Sequence, residues 1–253
     1  MILPEGLIWN YFTEEINFVD IEGNKLYRNK KLRSEIIHKF DKPISFAIPR
    51  SKNHFLIGYD NSICNFYLNE KKIELLATVK NKSYRTNDAF LDANGNLWFG
   101  VMHKTKSTEK GALYKFSFDR KLELFDHDYL IPNGPIFVCE NKYLIHNDSK
   151  LGLIYIYKDH NSKASREILF DCNSLSKNCA PDGMCLDSFG YLYVAMWGYG
   201  CVCKFNKHME IIETIKTPTD FPTNVLKVDK KIAITYAESK KNMNNGGILI
   251  LEN

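Results

Sequence analysis

Apolar and polar residues alternate along this chain in short runs, and the spacing typical of amphipathic helices is almost absent. Each run ends in a turn rich in Gly, Asn, Asp or Lys. Six pairs of consecutive runs share one pattern. The first members of the pairs are residues 16–20, 55–59, 97–100, 143–147, 192–196 and 231–236, and the second members are residues 25–28, 63–67, 111–116, 152–157, 201–205 and 247–251. This pattern predicts one pair of β-strands repeated six times.

The repeat has a period of about 40 to 50 residues, which is the length of one four-stranded blade of a β-propeller. We therefore predict an all-β, six-bladed β-propeller with four antiparallel strands per blade, formed by a single domain over residues 1–253. Blades bury their faces only against their neighbours, so the ring has to close. We expect the N-terminal strand around residues 7–9 to complete the final sheet.

Composition excludes some classes of partner. The net charge is +4 with basic and acidic residues interleaved, so the chain lacks the basic surface typical of nucleic-acid binding. No stretch approaches about 18 apolar residues, and the first residues lack the pattern of a signal peptide. We expect a cytoplasmic protein with no membrane partner, present as a monomer or a weak homodimer.

The chain has seven cysteines and no Cys-x-x-Cys pair. Cys201 and Cys203 are two residues apart, so on a strand they face the same side. We interpret the cysteines as small apolar residues in a reducing compartment rather than as a disulfide or zinc framework.

Polar residues at the start of each blade's inner strand meet at the central channel of a propeller, even when they are far apart in sequence. The candidates are Glu5, Arg85, Asn87, Asn133, Asp148 and Asp182. Alternatives stay open for each. Turn chemistry alone explains Asn and Asp in Pro-Asn-Gly and Pro-Asp-Gly, a Glu near the chain start is often solvated, and Asp88 or Asp148 could cap turns.

Taken together, Glu5, Asn133 and Asp182 offer only oxygen ligands. Such a set suits a hard divalent cation such as calcium, magnesium or manganese, with positions left open for water and substrate. A cation held in this way polarises a carbonyl group and lowers the pKa of bound water. Arg85 and Asn87 are two residues apart on an extended segment, so both could hydrogen-bond the same polar ligand.

Several short motifs stand in a fixed order at blade spacing. They are PEGLIW at 4–9, RTND at 85–88, GALY at 111–114, PNG at 132–134, PDGM at 181–184 and AMWGYG at 195–200. On these motifs the chain resembles the gluconolactonase–regucalcin family, which includes luciferin-regenerating enzymes and bacterial sugar lactonases. The similarity runs nearly end to end.

The resemblance implies a six-bladed propeller with one catalytic divalent metal ion, either calcium, zinc, magnesium or manganese, in its channel. By position, Glu5, Asn133 and Asp182 match the metal ligands, and Asp182 also matches the general base. Asn87 matches a residue that contacts substrate and metal-bound water, and Arg85 matches a substrate contact. The implied substrate is a small sugar-derived lactone.

One departure concerns the substrate. Many relatives carry a Glu shortly after the motif that corresponds to residues 100–102, whereas this chain has His103 and Lys104. Our first hypothesis is a metal-dependent hydrolase that opens an aldonolactone to the aldonic acid. The alternatives are a non-catalytic, calcium-binding regulatory propeller and, less favoured, a propeller that binds other proteins.

Overall fold

Strands provide nearly all the regular structure in the computed structural model, which describes residues 1–159, 162, 165–239 and 245–252. The strands are β1 (Pro4–Asn10), β2 (Glu15–Asp20), β3 (Lys25–Lys30), β4 (Arg33–Lys39), β5 (Ile44–Ser51), β6 (His54–Tyr59), β7 (Ser62–Tyr67), β8 (Lys72–Thr78), β9 (Tyr84–Leu91), β10 (Leu97–His103), β11 (Gly111–Phe116), β12 (Leu122–Tyr129), β13 (Pro132–Val138), β14 (Tyr143–Asp148), β15 (Leu153–Tyr157), β16 (Arg166–Asp171), β17 (Ala180–Leu186), β18 (Leu192–Trp197), β19 (Cys201–Phe205), β20 (Ile211–Lys216), β21 (Pro222–Val228), β22 (Lys231–Tyr236) and β23 (Gly247–Glu252). A short 3-10 helix covers Cys172–Ser174. No helix in the described ranges is long and apolar enough to cross a membrane.

The strands form six antiparallel sheets in chain order, and the molecule is a six-bladed β-propeller as predicted. Five sheets have four strands, and the sixth has three among the described residues, β21 to β23. The six strand pairs predicted from alternation are the second and third strands of the blades. The first strand of each blade lies innermost, and these inner strands contact one another around the ring, including β1 with β21.

The prediction that the N-terminal strand completes the final sheet is wrong. β1 pairs with β2, with Trp9 opposite Ile16, and is the innermost strand of the first blade. A turn over residues 11–14 joins these two strands. Closing such a short loop costs less chain entropy than pairing the two ends of the chain, so the local hairpin forms.

The ring closes instead through backbone contacts of the N-terminal residues. The amide N–H of Glu238 donates to the carbonyl oxygen of Ile2 at 3.0 Å. The hydroxyl of Thr223, on β21, donates to the carbonyl oxygen of Pro4 at 2.5 Å and lies 2.8 Å from the hydroxyl of Thr235. The first and last blades are therefore held side by side without sharing a strand.

The core lies between the blades. Large side chains such as Phe18, Phe55, Trp98 and Phe205 are fully buried there. Burial of each such side chain stabilises the fold by roughly 1.5–3 kcal/mol relative to exposure. The outer strands of the blades, such as β4 and β20, are mostly exposed. Packing therefore fixes the inner strands, and the inner strands carry the candidate residues.

All seven cysteines are free thiols, and all but Cys139 are buried. The sulfur atoms of Cys201 and Cys203 lie 3.8 Å apart, which confirms that both face the same side of β19.

Candidate functional site

A cavity of about 680 Å³ opens at the end of the ring where the inner strands begin. The five predicted site residues line it, although they come from four different blades. Glu5 lies on β1, Arg85 and Asn87 on β9, Asn133 on β13 and Asp182 on β17. The architecture thus brings together five of the six candidates, and the sixth, Asp148, does not line the cavity.

A β-bulge lies at the site residue on three inner strands. It follows Glu5 on β1 and Asn133 on β13, and on β17 it lies between Pro181 and Met184 and so includes Asp182. Bulges bend a strand and re-aim its side chains, and they occur often beside active sites. Gly134, which follows Asn133, has a φ of 54°. A Cβ atom at this position would lie 2.9 Å from an Asn147 side-chain nitrogen, so only glycine fits.

A chain of hydrogen bonds connects the polar residues of three neighbouring blades. Arg85 donates to the side-chain oxygen of Asn87 at 2.6 Å. Asn87 donates to the side-chain oxygen of Asn133 at 2.8 Å, and Asn133 donates to a carboxylate oxygen of Asp182 at 2.5 Å. Each side chain is therefore oriented by the next one along the ring.

A second layer of polar groups supports this chain. The hydroxyl of Ser149 accepts from the Asn133 side chain at 3.0 Å and donates to the carbonyl oxygen of Pro181 at 2.7 Å. The Asn147 side chain donates to the carbonyl oxygen of Asp182 at 2.5 Å. These bonds fix both the backbone and the side chains of the inner strands at the site.

Two buried carboxyl groups of the cavity, Glu5 and Asp182, have Arg85 as a nearby positive charge. Glu5 is 8% exposed and Asp182 is 6% exposed. Burial raises the pKa of both well above the ordinary range, and the negative charge of Asp88 raises it further. Arg85 opposes these effects but is itself desolvated, which lowers its own pKa. Among the described residues, the hydrogen-bond donor to the Glu5 carboxylate is the backbone N–H of Gly6. A cation would offset this excess negative charge.

Two other aspartates have different surroundings. Asp88 accepts hydrogen bonds from the backbone of Ala89 at 2.9 Å and of Gly134 at 3.1 Å, yet burial raises its pKa to about 6. Asp148 is fully buried and accepts from four backbone N–H groups, those of residues 130, 131, 150 and 151. Asp148 therefore holds a turn, which is the alternative that the sequence left open for it.

The donor set fits a hard divalent cation. Two carboxylates, Glu5 and Asp182, and the amide of Asn133 face one cavity and can supply oxygen ligands. A half-turn of the Asn133 amide exchanges its nitrogen and oxygen, which would present the oxygen on the Asp182 side. In the described part of the chain, no three His, Cys, Asp or Glu side chains are grouped to hold a metal ion. A site here therefore depends on the amide oxygen.

His103 and Lys104 do not line the cavity. The His103 ring accepts from the backbone N–H of Lys106 at 3.0 Å and so stabilises its own turn. The Lys104 ammonium pairs with Asp60 at 2.6 Å. The cavity wall next to these residues is formed by Met102 and Ser107, so this side carries no carboxylate.

Four further residues that line the cavity were not predicted from the sequence to do so. Lys150, Lys177, Trp197 and Phe221 line it. The rings of Trp197 and Phe221 contact each other with centroids 4.8 Å apart. Lys150, Lys177 and Phe221 lie in turns and connections, where no local signal places them at the channel. Trp197 ends β18 within the motif at 195–200, but the motif does not show that its ring lines the cavity.

Comparison with known proteins gives a consistent family. A family model described as the SMP-30/gluconolactonase/LRE-like region matches residues 3–236. An uncharacterised protein of Sulfolobus acidocaldarius is 29% identical over 99% of this chain and 91% of its own length. Regucalcin of Macaca fascicularis is 26% identical over 88% of this chain and 80% of its own. The 6-deoxy-6-sulfogluconolactonase of Pseudomonas putida is 23% identical over 95% of this chain and 84% of its own.

Solved structures show the same fold. A luciferin-regenerating enzyme superposes with a TM-score of 0.90 at 23% identity, covering 100% of this chain and 92% of its own. A regucalcin described as a calcium-binding protein from Agrobacterium tumefaciens gives a TM-score of 0.89 at 20% identity, covering 99% and 90%.

Proposed function

The chain belongs to the SMP-30/gluconolactonase/LRE-like family, and from this premise we propose that it is a metal-dependent lactonase that opens a sugar-derived lactone to the aldonic acid. One observation carries the proposal. Two buried carboxylates with raised pKa values and an amide, from three blades, face a single cavity large enough for a sugar. The named sulfogluconolactonase relative supports the substrate class.

Glu5, Asn133 and Asp182 would hold one divalent ion, and calcium, zinc, magnesium and manganese are all candidates. When bound, such an ion supplies Lewis-acid polarisation of a carbonyl group and a more acidic water. Burial disfavours the charged form of both carboxylates, and a bound cation would stabilise that form.

Asp182 acts as general base and accepts a proton from the attacking water. The water oxygen bonds to the lactone carbonyl carbon, the ring ester bond breaks, and the ring oxygen takes up a proton. Arg85 and Asn87 bind and orient the sugar hydroxyls, since both line the cavity next to Asp182. The product carboxylic acid releases one proton into solution at neutral pH, which makes turnover measurable.

The first prediction tests this mechanism. Asp182→Asn keeps the size of the side chain but removes the base and a charged ligand, so we expect turnover to fall by about 100- to 10,000-fold. The measurement is acidification of an indicator by gluconolactone, above the spontaneous rate, with metal-stripped protein and with each candidate ion added back. Circular dichroism of the variant checks that it folds.

A non-catalytic, calcium-binding regulatory propeller is the second candidate, favoured by the similarity to regucalcins. It predicts tight metal binding by calorimetry without metal-dependent acidification.

Unchanged turnover in Asp182→Asn would remove this residue from the mechanism, and unchanged turnover after metal stripping would contradict metal dependence.

A further inference from the structure

Two lysines that line the cavity form no salt bridge with any described acidic residue. Lys150 lies in the turn between β14 and β15, and Lys177 lies in the connection between β16 and β17. Both line the cavity and both are exposed. Neither forms a salt bridge with a described residue, although most of the chain's salt bridges use lysine.

The two segments that carry these lysines are tied together. The backbone N–H of Cys172 donates to the carbonyl oxygen of Gly152 at 2.8 Å, and the Asn173 side chain donates to the carbonyl oxygen of Leu151 at 2.9 Å. Asp148 also fixes the turn of Lys150 through that residue's own N–H. The backbone positions of both lysines are therefore set relative to each other, and we call this surface the lysine wall.

The remaining charges of the cavity are distributed unevenly. Neutral side chains surround the lysine wall, among them Ser149, Asn173 and Asn178. Glu5 and Asp182 lie on inner strands. Asp220, which also lines the cavity, lies in the connection before β21. Lys150 and Lys177 thus lie in connections at the cavity, whereas the carboxylates that would bind the reacting end of a substrate, Glu5 and Asp182, lie on inner strands.

We propose that the lysine wall binds a negatively charged group, a phosphate or a sulfonate, at the end of the sugar lactone remote from its carbonyl. This inference rests on the proposed lactonase function and names its substrate class. Ammonium groups bind such oxyanions as point charges and with charge-assisted hydrogen bonds, whereas a sugar hydroxyl gains little from two cations. The preferred substrate is an anionic aldonolactone rather than gluconolactone itself.

The test compares three lactones, which are gluconolactone, its 6-phosphate and its 6-deoxy-6-sulfonate. The proteins are the unaltered chain, the double variant Lys150→Gln/Lys177→Gln, and the matched control Lys207→Gln/Lys230→Gln. The control removes the same charge from exposed lysines in turns at the opposite end of the propeller. We expect the unaltered protein and the control to prefer an anionic lactone in kcat/KM by about ten-fold, and the wall variant to lose this preference.

Two further readouts identify the origin of the preference. Raising the salt concentration should reduce it, because screening weakens attraction between exposed charges. Asp220→Asn should increase it by removing a negative charge from the lining of the same cavity. The phosphate and sulfonate arms show which of the two groups the wall favours.

Equal kcat/KM values for neutral and anionic lactones would overturn the inference, while leaving the lactonase function intact. A preference for anionic lactones that the wall variant retains would also overturn the inference and leave the lactonase function intact. If no lactone is hydrolysed, the proposed function fails. In that case, calorimetry compares the binding of gluconate 6-phosphate and of gluconate to the same three proteins. Tighter binding of the phosphate that is lost only in the wall variant supports anion binding by the lysine wall. Equal binding of the two compounds by the unaltered protein rejects it.

Discussion

At the residue scale, the number of donors around a buried carboxylate separates structural aspartates from those at the site. Asp20 accepts from the backbone of Ile2, Leu3 and Gly23, and Asp148 accepts from four backbone N–H groups. Such bonds stabilise the ionised form. Glu5 has one backbone donor, the N–H of Gly6, and burial raises its pKa well above the ordinary range. The contrast supports a role for Glu5 beyond folding.

The prediction at this scale concerns His146, which is fully buried and lies close to the Asn133 backbone. Its ring packs edge-on against Tyr129 at 4.5 Å, and neither ring nitrogen has a well-aligned partner among the described residues, although the Asn133 backbone lies close. Burial lowers the pKa of His146 to about 3. The unfolded chain binds this proton near pH 6.5, so stability present above that pH is lost as the pH falls toward 3.

We expect His146 to cost about 2 kcal/mol of folding free energy on going from about pH 7 to about pH 5. His146→Phe removes the titrating group and should reduce the pH dependence of stability by that amount. Urea denaturation at both pH values measures this, and the difference between them cancels the packing change of the variant. The control is the variant His208→Gln, which replaces an exposed histidine. An unchanged pH dependence in His146→Phe would show that His146 is not buried in its neutral form.

At the element scale, the inner strands position the site through their bulges and close contacts. On β17, a Cβ atom at Gly183 would lie 2.2 Å from the Asn224 side chain on β21. Gly183→Ala should therefore push these neighbouring inner strands apart and displace Asp182, lowering kcat/KM by at least about ten-fold even where the protein still folds.

The control for that prediction is Gly190→Asn. Gly190 has a φ of 82° but open space around it, and asparagine tolerates this conformation better than other residues. A Gly183→Ala protein with unchanged kcat/KM would show that β17 and β21 can separate without moving the site.

The elements predictable from sequence are the strands that carry regular runs of apolar residues. The second strands, such as β2 and β14, are almost wholly buried, and the third strands, such as β3 and β7, alternate in part. Outer strands such as β4 are largely exposed and leave little hydrophobic pattern. The pairing of β1 was not predictable from periodicity, because strand pattern does not encode which sheet a terminal strand joins.

Glu5, Asn133 and Asp182 could be found because each precedes a glycine at a strand start. Lys150 and Lys177 could not, because only tertiary hydrogen bonds bring their segments together.

At the scale of the whole molecule, the contact between the first and last blades is the place where the ring can open. It depends on few polar contacts, among them the buried hydroxyl of Thr223 with the Pro4 carbonyl oxygen. Thr223→Val keeps the shape and leaves that oxygen without its donor, which should cost about 1–2 kcal/mol.

Hydrogen exchange locates this effect. We expect faster exchange at the amides of Glu238 and Gly246, which donate to the backbone of Ile2 and Met1 across the same contact. Thr78→Val, at an exposed position on β8, is the control. Exchange that speeds up uniformly over all six blades would mean that the ring unfolds as one unit rather than opening between the first and last blades.

Trp197 adds a practical consequence. Of the chain's three tryptophans, it alone among the described residues lines the cavity, whereas Trp98 is fully buried between blades. Indole fluorescence responds to the polarity around the ring, so a ligand that displaces solvent from Trp197 shifts the emission while Trp98 contributes a constant background. Ligand binding in the cavity can therefore be followed by tryptophan fluorescence, without a label and without turnover, in the inactive variants as well as in the intact protein.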